Sequence, residues 1–252
     1  MGSKGGNKHL KRKPAPKFWA IHRKEATWTI KPGPGPHPII ESLPLTILVR
    51  DVLKYANTRK EARLIISQGK ITVDGQVRRE GRFPTGLMDI VSIADAEKQY
   101  RILPSEKGLI LHPIEKDEAS FKLCRIENKS IVRGGHVQLN LHDGRNILVK
   151  LKDPGSPEED VYKTLDVLQV DVSSHEIRGH IKLGEDLTAL IVAGKNRGKS
   201  GKIVAIEKER EQRRRKQLVT IEDAHGNRFQ TVLNYVFAVG ETKPLISLTG
   251  AE

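Results

Sequence analysis

Between residues 193 and 202 the chain reads Ala193-Gly194-Lys195-Asn196-Arg197-Gly198-Lys199-Ser200-Gly201-Lys202, a glycine-punctuated run with cations at regular intervals. Two phosphate chemistries compete for it. The string Gly194 to Gly198-Lys199-Ser200 approaches the phosphate-cradling loop of nucleotide hydrolases, but that loop needs four residues between its glycines and three stand here. Such a loop must also open a helix, whose N-terminus meets the phosphates. Here Gly201-Lys202 leads into β-branched Ile203-Val204, which favours a strand. No later apolar strand ending in Asp stands out to hold magnesium. The sequence therefore predicts a turn between two strands. Gly194, Gly198 and Gly201 permit tight backbone there, and Lys195, Arg197, Lys199 and Lys202 face phosphates. Downstream, Arg213-Arg214-Arg215-Lys216 adds a second cationic run.

The N-terminal region mixes rings with cations. Phe18, Trp19 and Trp28 lie among Lys11, Arg12, Lys13, Lys17, His22, Arg23 and Lys24. Aromatic rings stack on unpaired bases while cations neutralise phosphates, so this mixture suits RNA. The alternative is that both tryptophans anchor the segment to the protein body. A third cationic set comprises Arg59, Lys60 and Arg63 on a helical stretch and Lys70, Arg78, Arg79 and Arg82 on the hairpin after it. A short basic helix beside a basic hairpin makes a concave surface that reads RNA by shape.

Catalytic and metal constellations are not legible. The nine histidines are scattered, and His175 and His180 lie five apart without a Cys or acid at metal spacing. No nucleophile-elbow motif occurs. The single cysteine, Cys124, rules out an intrachain disulfide and fits a reducing compartment. No cofactor, metal or small-molecule substrate is expected.

The charge distribution agrees. The net charge is +13 at pH 7, and residues 1–38 hold nine Lys/Arg against one acid. Residues 194–216 hold ten against three, whereas 96–186 hold fourteen against sixteen. Clustered surplus charge marks contact sites for a polyanion rather than tuned solubility. No apolar run approaches the ~18 residues that span a bilayer. The N-terminus lacks a signal-peptide core, and Gly6 stands where a myristoylation motif needs Ser or Thr. A cytosolic or nuclear protein without a membrane partner is expected.

The elements that must position these cations are small. Apolar content is 37 %, with five Phe, four Tyr and two Trp, which favours several modest cores over one large one. Residues 1–31 lack core-forming composition and are expected to order only on a partner. Lys31-Pro32-Gly33-Pro34-Gly35-Pro36-His37-Pro38 reads as an extended linker. Leu45, Leu48, Val49, Val52, Leu53 and Ala56 recur at helical spacing and predict one apolar face. Thr58 and Glu61 form a capping box for a second helix that buries Ala62, Ile65 and Ile66 and ends at Gly69. Asp74-Gly75 between Ile71-Thr72-Val73 and Gln76-Val77-Arg78 predicts a hairpin, and 89–93 a further strand. Short strands follow over 108–114, 121–126, 137–141 and 146–151. A short helix then leads into a strand within 161–172. The last module has strands at 190–192 and 203–206 and a hairpin over 218–232. The fold class is thus α+β and multi-module: an extended basic N-terminal tail, a helix-hairpin RNA-binding module, a mainly antiparallel β domain and a small SH3-like barrel. Its divisions are 1–42 for tail and linker, 43–105, 106–178, 179–240, and a C-terminal tail over 241–252.

Two local resemblances refine this reading. Thr58-Arg59-Lys60-Glu61-Ala62-Arg63 with Gln68-Gly69-Lys70-Ile71-Thr72-Val73-Asp74-Gly75 resembles the small RNA-binding fold named after a bacterial small-subunit ribosomal protein. The segment 193–202 is similar to the KOW motif of ribosomal and transcription-factor barrels, with Gly198-Lys199-Ser200-Gly201 one residue tighter than some members. Over the whole chain, the order of parts resembles the e-type fourth protein of the small ribosomal subunit, a family of archaea and eukaryotes. Lys8-His9-Leu10-Lys11-Arg12, Ala15-Pro16, Lys31-Pro32-Gly33-Pro34, Pro36-His37, Glu41-Ser42-Leu43-Pro44-Leu45 and Arg50-Asp51-Val52-Leu53-Lys54 carry that likeness. It implies binding to small-subunit ribosomal RNA, neighbouring small-subunit proteins as partners, a role in assembly and no enzymatic activity. The short acidic C-terminus looks archaeal rather than eukaryotic. Two other classes stay in view. An RNA-modifying enzyme would need a catalytic domain, for which the β region offers no acid-base signature. A transcription-elongation regulator built on the barrel would leave the tail and the helix-hairpin module unexplained.

Overall fold

The first folded unit grows around the apolar face of residues 45–56. In the computed structural model, which describes residues 7–96, 98–151, 161–207 and 217–248, that face is not one regular helix. A short hairpin of β1 (Leu10–Lys11) and β2 (Trp28–Thr29) precedes it, then β3 (Leu43–Pro44) and α1 (Leu45–Ile47). The backbone next widens into a π-type turn over Leu48–Val52, where the Leu53 amide donates to the Leu48 carbonyl at 2.9 Å. Leu45, Leu48, Val49 and Ala56 are buried regardless, so the apolar periodicity survives the change in helical pitch. Helix α2 (Arg59–Ser67) starts with the expected capping box: the Glu61 amide donates to the Thr58 hydroxyl at 3.2 Å. It buries Ala62 and Ile66 and leaves Ile65 half-buried.

After α2 the chain builds a five-stranded antiparallel sheet. Its members are β4 (Ile71–Val73), β5 (Gln76–Val77), β7 (Ile90–Ile93), β8 (Lys98–Ser105) and β9 (Gly108–Ile114), in the order β5-β4-β7-β8-β9. The intervening β6 (Pro84–Thr85) pairs with β3. Asp74 and Gly75, both at positive φ, close the β4–β5 turn as their sequence predicts. The β8–β9 hairpin carries this sheet across the expected division at 105/106.

The central sheet is also antiparallel, in the order β12-β11-β10-β13-β14. Its strands are β10 (Phe121–Ile131), β11 (Val137–Leu141), β12 (Asn146–Val149), β13 (Val167–Asp171) and β14 (Ile177–Ile181). Strand β10 is long enough to pair with β13 through its first half and with β11 through its second, with a register shift between Ile126 and Asn128. The helix expected at the start of 161–172 is not formed among the described residues; 161–166 run as loop and turn into β13. The loop expected at 153–157 lies outside the described residues.

The last sheet has the order β18-β17-β16-β15-β19, all antiparallel. It comprises β15 (Thr188–Ile191), β16 (Ser200–Ile206), β17 (Leu218–Glu222), β18 (Arg228–Val232) and β19 (Val236–Gly240). Each unit keeps a core of its own, as the composition predicts, and a further cluster joins them. Met88 from the turn before β7 and Leu103 from the first sheet, Leu123 and Val167 from the second, and Leu190 and Phe237 from the third form one buried cluster. Ile246, expected in a C-terminal tail, joins that cluster at 2 % exposure.

The largest correction concerns the N-terminus. Residues 7–31 are packed rather than trailing: Ala15, Trp19 and Ile30 are buried in the same core as α1 and α2. Burying a Trp requires a partner for its indole N–H. Trp19 Nε1 donates to the Ser42 carbonyl at 2.9 Å.

Candidate nucleic-acid interface

Packing of the N-terminal hairpin divides the two tryptophans. Trp19 is 3 % exposed and cannot stack on a base, so it belongs to the core. Trp28 is 55 % exposed. Its ring holds His9 at 5.5 Å between centroids and the Lys11 ammonium at 5.8 Å. A groove of about 610 Å³ runs beside it, between the hairpin, the start of α2 and the loop after β5; Lys8, Trp28, Lys31, Arg59 and Arg82 line it. The structure thus brings together cations that lie far apart in sequence. Arg82 is fixed there by donating from Nε to the Lys31 carbonyl at 3.1 Å.

The remaining cations of this unit divide by what they touch. Arg23 donates to the carbonyls of Arg12, Ala15 and Pro16 at 2.7–2.9 Å and so closes the N-terminal loop. Arg12 bonds the His22 and Trp28 carbonyls and approaches Glu25 at 3.6 Å. Arg78 is half-buried, with its guanidinium 4.4 Å from the Phe83 ring and donating to Gln76. Lys70 is half-buried at the turn after α2. By contrast Lys13, Lys17, Lys24, Arg59, Lys60, Arg63 and Arg79 are exposed, and none makes an ion pair among the described residues.

The loop at 193–202 turns between β15 and β16 and opens no helix, which removes the nucleotide-hydrolase geometry. Its glycines serve protein packing. A Cβ at Gly198, where φ is +85°, would lie 2.7 Å from Ser105 Cα. At Gly201 a Cβ would lie 2.3 Å from the Glu222 carbonyl oxygen on β17. The tight backbone expected at these glycines brings the loop against the β8–β9 turn and β17. Lys195 is exposed, Lys199 lies over Phe229 at 3.9 Å, and Lys202 pairs with Asp186 at 2.9 Å. Arg197 is half-buried over Phe18 at 5.7 Å. Arg213, Arg214, Arg215 and Lys216 lie outside the described residues.

A buried ionic cluster joins the first and second sheets. Lys122 Nζ lies 2.8 Å from Asp74, 2.6 Å from Asp89 and 3.1 Å from Asp143. Arg145 reaches Asp74 at 2.7 Å and Asp143 at 3.2 Å, and His37 from the linker meets Asp89 at 3.0 Å. Burial alone would weaken every charge here. The three carboxylates outweigh it at Lys122, whose ammonium is held well above its ordinary range. Burial likewise opposes ionisation of Asp143, yet Lys122, His142 and Arg145 pull its carboxyl down to about 2. Cys124, His142 and Asp143 place potential metal-ligand atoms within 4.8 Å of one another. They do not suit a metal. The Lys122 ammonium already supplies the cation beside Asp143. Both His142 nitrogens are engaged, Nδ1 accepting from the Arg125 amide and Nε2 facing the Leu87 carbonyl.

Comparison with known proteins decides the family. Residues 4–39 match the RS4NT (NUC023) domain, 46–91 the S4 domain and 96–177 the Ribosomal family S4e. A small ribosomal subunit protein eS4 from Staphylothermus marinus is 53 % identical over 249 residues, covering 98 % of each chain. The chain belongs to the S4e family of ribosomal proteins. Another member, from Methanocaldococcus jannaschii, is 48 % identical over 98 % of this chain and all of its own. The solved 30S ribosomal protein S4e of Thermoplasma acidophilum is 31 % identical, with a TM-score of 0.67 over 82 % of this chain. These relatives carry the names of ribosomal constituents, not of enzymes. Within the family frame, the RS4NT match covers the hairpin bearing Trp28, and the S4 match covers α2 and Arg82. The groove is built where these two parts meet.

Sequence reasoning missed Lys8, His9 and Lys31 in the groove and the whole Lys122 cluster. One signal was available: Lys122 interrupts the apolar strand 121–126 at a position whose neighbours are all core-forming. The carboxylates gave none, because Asp74 occupies an ordinary Asp-Gly turn and Asp89 an ordinary strand entry.

Proposed function

We infer that the chain is a structural constituent of the small ribosomal subunit, cytoplasmic and enzymatically inactive, which holds small-subunit ribosomal RNA through distributed Lys and Arg contacts and supports assembly and translation. The observation that carries this reading is the groove where exposed Trp28 faces Arg59 and Arg82 across the junction of hairpin and α2. Cations supply affinity by releasing counterions from phosphates, and the indole supplies a stacking face for an unpaired base. Lys60, Arg63 and Arg79 extend the surface along α2 and its hairpin. The last sheet acts as a KOW-type, SH3-like barrel with Lys195 and Lys199 on its turn. Units bounded near 43–105, 106–178 and 179–240 share a buried cluster, so they present these cations in fixed register. The near-neutral middle unit meets neighbouring small-subunit proteins.

Salt titration of RNA binding tests this. Arg59→Ala with Arg82→Ala should weaken binding and flatten the dependence of log K on log salt by roughly one unit per lost phosphate contact. Trp28→Ala should weaken binding by about 1–3 kcal/mol with the slope unchanged, as loss of stacking requires. Unchanged affinity in both variants, with an unchanged slope in the double variant, would refute the groove as the interface.

A further inference from the structure

A second groove, of about 550 Å³, lies where the linker, the central sheet and the last sheet meet. Its cations are nearly all committed. Arg125 pairs with Glu127 and donates to the Asn234 and Val236 carbonyls at 2.8 and 3.1 Å. His37 is held by Asp89, and both His142 nitrogens are engaged. Arg197 is the exception. Its guanidinium makes no hydrogen bond or ion pair among the described residues, and its Nε is buried without a partner. A half-buried guanidinium offers five donors and is costly to leave unfilled. Burial weakens its hold on the proton, and the Glu41 charge opposes this. Nearby, Asn234 Oδ1 is also buried without a partner, and the Tyr235 ring is 37 % exposed at the rim.

Resting on the RNA-binding reading above, we propose that this junction groove receives one unpaired nucleotide of the bound RNA. Its phosphate sits on Arg197, its base on the Tyr235 ring, and a base N–H group meets Asn234. One uncommitted cation matches one phosphate. An orphan acceptor beside an exposed ring matches the donor edge and face of a base. An acidic protein segment could place a carboxylate on Arg197, but it brings no base face to stack on the exposed Tyr235 ring beside it.

The test uses the full chain and two RNA hairpins, identical except that one carries a single bulged 2-aminopurine. Wild type should bind the bulged hairpin about tenfold more tightly, in the range that stacking one base supplies, with quenching of the 2-aminopurine fluorescence. Tyr235→Ala and Arg197→Gln should each abolish that preference while leaving the continuous hairpin's affinity within about twofold. Tyr235→Phe, which keeps the ring, should retain the preference, and thermal melts should exclude unfolding. Arg59→Ala should weaken both hairpins equally. Equal binding of the two hairpins by wild type, or a preference that survives both groove variants, overturns the nucleotide site alone. Binding of neither hairpin overturns the RNA-binding reading with it. Displacement of Arg197-dependent contacts by a glutamate-rich peptide, without a bulge preference, reassigns the groove to a protein neighbour.

Discussion

At the level of single residues, Lys122 shows how a cation can be structural in a protein whose charge otherwise serves a partner. Its ammonium, fully buried, is shared among three carboxylates supplied by two sheets. A buried ion cluster is a weak source of net stability, because desolvation offsets attraction. Removing one partner is different, since the remaining charges stay buried and repel. Lys122→Met preserves most of the side-chain volume but removes the shared cation, leaving Asp74 and Asp143 to Arg145 and Asp89 to His37. It should destabilise the fold by about 3–5 kcal/mol in denaturant titration. Lys122→Met combined with Asp89→Asn should recover part of that loss, which a mere packing defect would not. Among the groove residues, exposure decides the role: Trp28 and Trp19 are the same residue type nine positions apart, and only one presents its face.

The elements show what spacing can and cannot reveal. Helix α2, the Asp74-Gly75 hairpin and strands β15 to β18 of the last sheet are legible because local signals fix them, a capping box, a turn pair and β-branched runs, whereas β19 is not. The π-type turn at Leu48–Val52 is illegible because it buries nearly the same residues a regular helix would. The N-terminal segment misleads for another reason. Its composition is that of an unstructured arm, and only tertiary contacts recruit Ala15, Trp19 and Ile30 into a core formed by other residues. Two cations expected to face RNA, Arg12 and Arg23, are spent on backbone carbonyls of this same segment. If Trp19 is the anchor, Trp19→Ala should cost about 3–5 kcal/mol. It should also expose the peptide bonds after Lys17 and Lys24 to trypsin in the free protein. Proteolysis as slow as in wild type would show that the hairpin is held by something else. Release of the segment would also remove one wall of the Trp28 groove, so RNA affinity should fall although Trp19 never touches RNA.

Across the whole molecule, three sheets that might have folded as separate modules are fastened at polar junctions, and this couples their cohesion to pH. Burial pushes the His142 imidazole down to about 4 from 6.5, with Asp143 opposing. Its geometry agrees: Nδ1 accepts a hydrogen bond from the Arg125 amide, so a proton added there breaks that bond while leaving a cation against Phe237, 5.6 Å away. A base whose folded pKa is depressed contributes stability that is full above pH 6.5 and is lost as pH falls towards 4. The carboxylates extend the loss. Asp143, at about 2, and Asp89, held lower still by Lys122 and His37 against the effect of burial, bind protons more weakly folded than unfolded, where 3.8 is ordinary. Their stabilisation is complete above that value and disappears as pH falls through the folded pKa. Unfolding free energy should therefore decline in two stages, first from pH 6.5 to 4 and then below 3.8. His142→Gln should flatten the first stage and spare the second, whereas Asp89→Asn should weaken the second. RNA binding measured between pH 6.5 and 5 should weaken only as far as the fold loosens. A pH profile of affinity steeper than that of stability would overturn this coupling and place the pH-dependent group in the interface itself.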